Sequence, residues 1–346
     1  MSEMQKLIRP GYCFLIAEIS ANHNQSLERA LALVRAAKES GADAVKLQTF
    51  TPWTSTIQCD APHFRMMQGT WAGETLYSLY EKAFMPWEWH APLAAEARAI
   101  GLPIFTSVYD PTALEFTAQF NFPLHKIASF EVVDIPLIKK IAATGKPVIM
   151  STGMASLSEI DEAVYTLREN GAKDLVLLKC TSAYPASPEE ANLRTIPHMA
   201  ETFGCPVGLS DHTLGTAVAV AAVTLGAAVI EKHLTLSRAD GGPDSSFSME
   251  PLEFKQMVRD IRAAEAALGK VCYALTEKEK QNIVFRRSLF VVEDMRAGEL
   301  FTEKNVRSIR PGYGMHPRHL EQIFGRRAAC DISAGTPMNW NFAQSR

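Results

Sequence analysis

Short apolar runs alternate along most of the chain with longer segments of helical period. The runs "FLIAEIS", "AVKLQTF", "PIFTSV", "LHKIAS", "PVIMST", "LVLLKCT", "PVGLSD" and "VIEKHLTL" are rich in Val, Ile and Leu and read as strands buried on both faces. Between them the periodicity changes to that of helices. After the first run, Ser26 is placed to N-cap a helix carrying Leu27, Ala30, Leu31, Val34 and Ala37 on one stripe, with Gly41 as its stop. In "SLSE", Ser156 and Glu159 have the spacing of a capping box. Eight strands alternating with helices predict an α/β fold, a (β/α)8 barrel. The Gly-rich phosphate fingerprint that follows the first strand of many open doubly wound sheets is missing. After "ALGK" the texture shifts to short β-like runs broken by Gly and Pro. The expected division is therefore a barrel over 1–280 and a small second domain over 285–346.

The polar residues that interrupt these runs fall at their C-terminal ends, where the βα loops of a barrel gather its chemistry. Glu18 closes the first run, Lys46 and Gln48 the second, and Ser107 the third. Lys126, Ser129 and Glu131 follow the fourth, and Ser151 the fifth. Thr181, Ser182 and Tyr184 follow the sixth, Ser210 and His212 the seventh, and Glu231 and His233 the eighth. A lone histidine or lysine at such a position is more often structural. The last two strands of a barrel are neighbours, however, so His212 and His233 project into one mouth and suit a divalent metal (Mn, Mg or Co) with open positions. Lys46 and Lys126, with Ser129, Ser151 and Ser210, form the inventory for a small phosphorylated carboxylate; structural ion pairs with Glu18 and Glu131 are the alternative. Those two carboxylates equally suit acid/base work.

Composition narrows the partners. A net charge of -3 and a pI near 6.3 give no reason to expect nucleic acid or an anionic membrane. The six cysteines show no CxxC spacing. The longest apolar run, "TAVAVAAVTLGAAVI", falls short of the roughly 20 residues a bilayer requires. The expectation is a soluble cytoplasmic protein with reduced thiols.

In order along nearly the whole chain, "AEISANHN", "AVKLQTF", "KIAS", "STGM", "LLKCTSAYP", "GLSDHTLG", "EKHLTLSR" with "GGPD", and "RRSLF" followed by "RPGYG" resemble the sialic acid synthase family. The resemblance implies condensation of phosphoenolpyruvate with an N-acetylated amino sugar in its open-chain aldehyde form, giving a nine-carbon ulosonic acid and phosphate. It also implies a (β/α)8 barrel joined to a C-terminal antifreeze-like (SAF, β-clip) domain, and a domain-swapped homodimer. "TLSRADGGPDSSFSMEP", "LYSLYEKAFMPWEWH" and "YPASPEEANL" are most similar to the pseudaminic acid synthases of that family, whose acceptor is 2,4-diacetamido-2,4,6-trideoxy-L-altrose. Lys179 before Cys180, Ser182, and "KIAS" depart from the N-acetylneuraminate pattern of His, Asn and "KIGS".

Carried over by residue, the resemblance makes His212 and His233 metal ligands and gives phosphoenolpyruvate to Lys46, Ser107, Lys126, Ser129, Ser151, Ser182 and Ser210. It sets Glu18 and Glu131 beside the reacting carbons, with Glu231 supporting the metal. Gln48, Tyr184, Asp244 and Arg310 hold the sugar, Arg310 from the small domain of the partner copy. Three other classes use parts of the same inventory. One is a Schiff-base aldolase with Lys46 or Lys126 as nucleophile, another a metal-dependent hydrolase, the third a non-catalytic sugar-binding protein.

Overall fold

In the computed structural model, which describes Met4 and residues 7–344, the chain divides into two compact units, Met1–Gly269 and Lys270–Arg346. The boundary falls ahead of the change in texture near Phe285.

The first unit is a closed parallel barrel in which eight strands neighbour one another in chain order. They are β1 (Phe14–Glu18), β2 (Ala44–Thr49), β3 (Ile104–Val108), β4 (His125–Ile127), β5 (Val148–Ser151), β6 (Leu175–Cys180), β7 (Val207–Asp211) and β8 (Val229–His233). Each lies within one of the apolar runs of the sequence. They are apolar because both faces are covered, one by the barrel interior and one by the outer helices. The first outer helix, Leu27–Glu39, begins where Ser26 accepts a hydrogen bond from the Arg29 amide at 3.2 Å, and the chain then turns at Gly41 with φ +88°. Its buried stripe is Ala30, Leu33, Val34, Ala36 and Ala37, while Leu31 is only half-buried. At helix Leu157–Glu169 the capping box forms reciprocally, Glu159 N to Ser156 Oγ at 3.3 Å and Ser156 N to Glu159 Oε2 at 2.7 Å.

Closure brings β8 against β1, so that Glu18 lies level with His233 and, on its other side, with Lys46. Alternation resolves the three consecutive charged residues of β8. Glu231 finds its partners on the barrel interior, whereas Lys232 points between strand and helices and donates to Asp211 Oδ2 and Thr213 O, both at 2.6 Å. Gly208 in β7 is required by close approach: a Cβ there would lie 2.2 Å from the Val229 carbonyl oxygen of β8 and 2.8 Å from Leu178 Cδ2 of β6. Where β2 leaves the barrel, residues 50–89 form an extended insertion containing helix Leu76–Ala83 before the outer helix His90–Ala99 begins.

The second unit pairs β9 (Ser288–Val291) antiparallel with β10 (Val306–Ile309) around its own core of Leu289, Val291, Phe301, Val306 and Ile323. No helix among the described residues is long and apolar enough to cross a membrane.

Candidate active site

A cavity of about 650 Å³ opens at the C-terminal ends of the barrel strands. Its floor holds a closed network of buried charge. Lys46 Nζ pairs with Glu18 and donates to Ser107 Oγ at 2.9 Å, and it lies 3.6 Å from Glu231 Oε1. Lys126 Nζ donates to Ser151 Oγ at 2.7 Å and to the Ile127 carbonyl at 3.1 Å, and lies 3.8 Å from the same Glu231 oxygen. Glu231 accepts from Ser210 Oγ at 3.2 Å. Two ammonium groups thus face two buried carboxylates, and strand register explains the proximity: Ser107 pairs with Lys126 and Ser210 with Glu231.

Burial and ion pairing compete in the ionisation of this floor. It pushes Glu18 up to about 7 in spite of the opposing Lys46 charge, with Glu231 adding to the rise. Burial also pushes Lys126 down. For Lys46 it acts in the same sense, but Glu18 and Glu231 outweigh it and the net shift is upward. Glu231 moves the other way: its own burial is overcome by Lys126 and Lys46, which hold it below the ordinary carboxylate range. Glu231 Oε1 faces the two lysines and Ser210, while its Oε2 is enclosed without a partner.

Above the floor, His212 and His233 stand with ring centroids 5.3 Å apart at 60°. An imidazole nitrogen binds a metal at about 2.1 Å, which sets the centroids of two rings sharing one ion at about 5 Å from each other. His212 Nδ1 is bonded to the Thr181 carbonyl at 3.0 Å, which leaves Nε2 for a ligand. His233 is held neutral, well below the usual imidazole range, by burial and by the neighbouring His212 and lysine charges, and its Nδ1 is enclosed without a partner. The pair therefore fits a divalent ion as two of its ligands. Among the described residues no cluster of three or more His, Cys, Asp or Glu accompanies it, so remaining positions would fall to substrate or water. Cys180 contacts His212, Sγ to Nδ1 at 3.8 Å. Burial by itself would push the thiol up and the imidazole down; their mutual contact reverses both, drawing the thiol down to about 7 and the imidazole up.

Of the residues singled out from the sequence, Lys46, Gln48, Lys126, Ser129, Glu131 and Ser151 line the cavity, as do Tyr184, Ser210, His212, His233 and Asp244. Asp244 sits where the Gly241-Gly242-Pro243 loop returns to the barrel, and its Oδ2 accepts from Ser20 Oγ and from the Ala21 amide at 3.3 Å. Burial raises its pKa. Glu131 is half-buried, with Oε2 enclosed and unpartnered, and burial pushes it up to about 7. Glu18 and Ser107 are buried beneath the lining and reach the cavity through Lys46. Ser182 lies beside Ser129, the Cβ position of Gly153 being 2.2 Å from Ser182 Oγ and 2.9 Å from Ser129 Oγ, and does not itself line the cavity. Arg310 belongs to the second unit, exposed just past β10.

Sequence reasoning missed Ser20, Tyr109, Trp71 and Cys180, all of which line the cavity. Tyr109 lies two residues beyond Ser107 on the same side of the strand, and Cys180 two before Ser182, so period-two reading of the strand ends would have found both. Trp71 lies in the β2–β3 insertion, where no period applies.

A closed barrel with buried lysines, carboxylates and an imidazole pair at its C-terminal mouth defines an enzyme acting on a small anionic substrate. Residues 33–273 match the model of the NeuB family and residues 286–342 that of the SAF domain, and the chain belongs to the NeuB family. It is 45% identical over 328 residues to the pseudaminic acid synthase of Helicobacter pylori, covering 94% of this chain and 96% of that protein. It is 36% identical over 338 residues to the N,N'-diacetyllegionaminic acid synthase of Legionella pneumophila, covering 96% and 95%. Among solved structures it is similar to the Bacillus subtilis spore coat polysaccharide biosynthesis protein spsE, with a TM-score of 0.64 and 34% identity over 98% of this chain and 97% of that one.

Proposed function

We propose that this enzyme condenses phosphoenolpyruvate with 2,4-diacetamido-2,4,6-trideoxy-L-altrose and water, giving pseudaminic acid and phosphate by C–O cleavage. The observation that carries the reading is the floor of the cavity, where Lys46 and Lys126 are held beneath the His212 and His233 pair. The choice of acceptor is supported by 45% identity to a pseudaminic acid synthase against 36% to a diacetyllegionaminic acid synthase, each over nearly the full chain.

Lys46 and Lys126, with the hydroxyls of Ser107, Ser129, Ser151 and Ser210 and of nearby Ser182, bind and orient the phosphate and carboxylate of phosphoenolpyruvate. Gln48, Tyr184 and Asp244 position the acceptor over the enol carbon. His212 and His233 would hold a divalent Mn, Mg or Co, which when bound polarises the aldehyde oxygen. C3 of phosphoenolpyruvate bonds to the aldehyde carbon through the enol π pair, leaving C2 cationic and the aldehyde oxygen an alkoxide; of the two protons of the water that then adds, one ends on this oxygen and the other leaves with the phosphate. Water adds at C2 and gives its proton to Glu131, poised near neutrality in an enclosed position. The resulting tetrahedral carbon expels phosphate. Glu18 acts through Lys46 as a positioning residue. Resemblance to the family assigns Arg310 to the acceptor pocket of a second copy in a domain-swapped homodimer.

Phosphate release is to be followed with phosphoenolpyruvate and three acceptors: the diacetamido-trideoxy-altrose, its legionaminic-type mannose-configured counterpart and N-acetylmannosamine. The altrose is expected to give the highest kcat/KM, and equal or better efficiency with N-acetylmannosamine overturns the acceptor assignment. Chelation should abolish turnover and Mn or Mg restore it. The lowered pKa of buried Lys126 favours a Schiff-base nucleophile as a second reading. Borohydride with substrate decides between them: a reduced adduct on Lys126 or Lys46 moves the assignment to an aldolase.

A further inference from the structure

The insertion after β2 crosses the mouth of the barrel. Residues 65–75 fold back on themselves, Arg65 bridging to Thr75, with Met66 N to Glu74 O at 2.8 Å and Gly73 N to Met66 O at 2.9 Å. The returning arm runs into Thr75, which caps helix Leu76–Ala83 by accepting from Ser78 N at 3.1 Å, and Tyr77 and Tyr80 of that helix pack against Trp53 and Phe50 just past β2, with ring centres 5.1 and 5.6 Å apart. The tip of this strap packs elsewhere. Thr70 Oγ1 donates to the carbonyl of Tyr184, in the loop after β6, and Trp71 Nε1 donates at 2.9 Å to the carbonyl of Pro243, in the loop after β8. β6 stands diametrically opposite β2 in an eight-stranded ring, so the strap spans the full width of the cavity.

At this tip the indole continues an aromatic row that starts at the imidazole pair. Tyr184 lies 4.5 Å from His212, Phe247 5.1 Å from Tyr184, and Trp71 5.4 Å from Tyr184, ring centre to ring centre. Trp71 lines the cavity, and the Pro243 carbonyl that takes its N–H directly precedes Asp244. With its only donor occupied, the indole offers the cavity nothing but carbon surface. A substituent lying there gains by being apolar, and a hydroxyl placed there loses its water without a replacement partner.

We propose that Trp71 is a specificity-determining residue whose ring face receives the methyl-bearing part of the acceptor sugar and selects deoxy over hydroxylated acceptors. The inference rests on the function proposed above and deepens it, locating discrimination on the strap and not on the strand-end residues that hold the reacting atoms. Phosphoenolpyruvate, bound to the lysines on the floor, does not depend on the indole.

Two substitutions separate the ring from its tether. Trp71→Phe keeps an aromatic face and loses the N–H donor; Trp71→Gln keeps an N–H donor within reach of Pro243 and removes the face. kcat/KM is measured for the diacetamido-trideoxy-altrose and for N-acetylmannosamine, with the KM for phosphoenolpyruvate alongside. W71F is expected to retain the preference for the altrose. W71Q should reduce that preference by about tenfold or more, the range that one methyl or hydroxyl commands in an apolar pocket, with the phosphoenolpyruvate KM within about twofold of wild type. Preference unchanged in both variants, lost in both, or lost only in W71F overturns the inference, as does an equal rise in KM for acceptor and phosphoenolpyruvate, which marks a structural strut. Because these outcomes require a wild-type enzyme that turns over the altrose, they are distinct from failure of the functional reading, in which the wild type releases no phosphate with any acceptor and both proposals fall together.

Discussion

Glu131 carries a carboxyl that burial has pushed up to about 7, with one oxygen enclosed and unpartnered. Asp134 adds to that rise, while Lys126 and Lys46 oppose it. Between its ordinary pKa near 4.5 and about 7 the folded state binds more protons than the unfolded chain, so stability falls as pH rises through that window. Above pH 7 the penalty is fully present and amounts to about 3 kcal/mol. Glu131→Gln is therefore expected to raise the unfolding free energy at pH 8 and leave it unchanged below pH 4, a difference that denaturant titrations at the two pH values measure. The same substitution should lower kcat by about 10²–10⁴-fold and remove the rise of kcat/KM through pH 7. Lys46 behaves in the opposite way. Lys46→Met leaves Glu18 and Glu231 facing each other without their shared cation, and the expected loss is about 3–5 kcal/mol, read as a shift in the denaturation midpoint.

Among the elements, β7 and β8 meet at a distance only glycine allows. Gly208→Ala places a methyl against the Val229 backbone carbonyl, which no rotamer change relieves, so β8 must move and carry His233 with it. A lower melting temperature together with weaker Mn retention is expected, with a stability cost of about 1–3 kcal/mol. All eight strands were legible in the sequence because full burial on both faces leaves an unmistakable apolar run, and the polar residues stood out because each interrupts such a run. The depth of each one was not legible. Glu18 and Glu131 have similar sequence settings, a carboxylate at a strand end, but closure of the barrel puts Glu18 under Lys46 and leaves Glu131 at the cavity wall. Glu231 shows the same gap, since only the assembled ring places it between lysines from β2 and β4. Trp71 was illegible for a different reason: residues 50–89 follow neither the strand nor the helix period throughout, and only the fold reveals what their tip touches.

At the level of the whole molecule, the assignment of Arg310 to a partner's barrel is tested by mixing two inactive variants, His233→Ala and Arg310→Ala, under conditions that exchange subunits. If the guanidinium serves the other copy, a mixed dimer holds one doubly damaged site and one intact site, and activity returns. A mixture no more active than its parents, with exchange verified independently, rules the arrangement out. The strap over the barrel mouth bears on time as well as on selectivity. The nine-carbon acid of the proposed reaction is bulkier than either molecule from which it is assembled, so its departure is expected to require breaking the Thr70 and Trp71 hydrogen bonds to the loops after β6 and β8. Turnover is then expected to be paced by departure and not by carbon–carbon bond formation. Mixing enzyme rapidly with saturating substrates should give a burst of phosphate close to one equivalent per site, followed by a slower steady rate that falls as solvent viscosity rises; a linear trace from the first turnover would place the slow step in the chemistry.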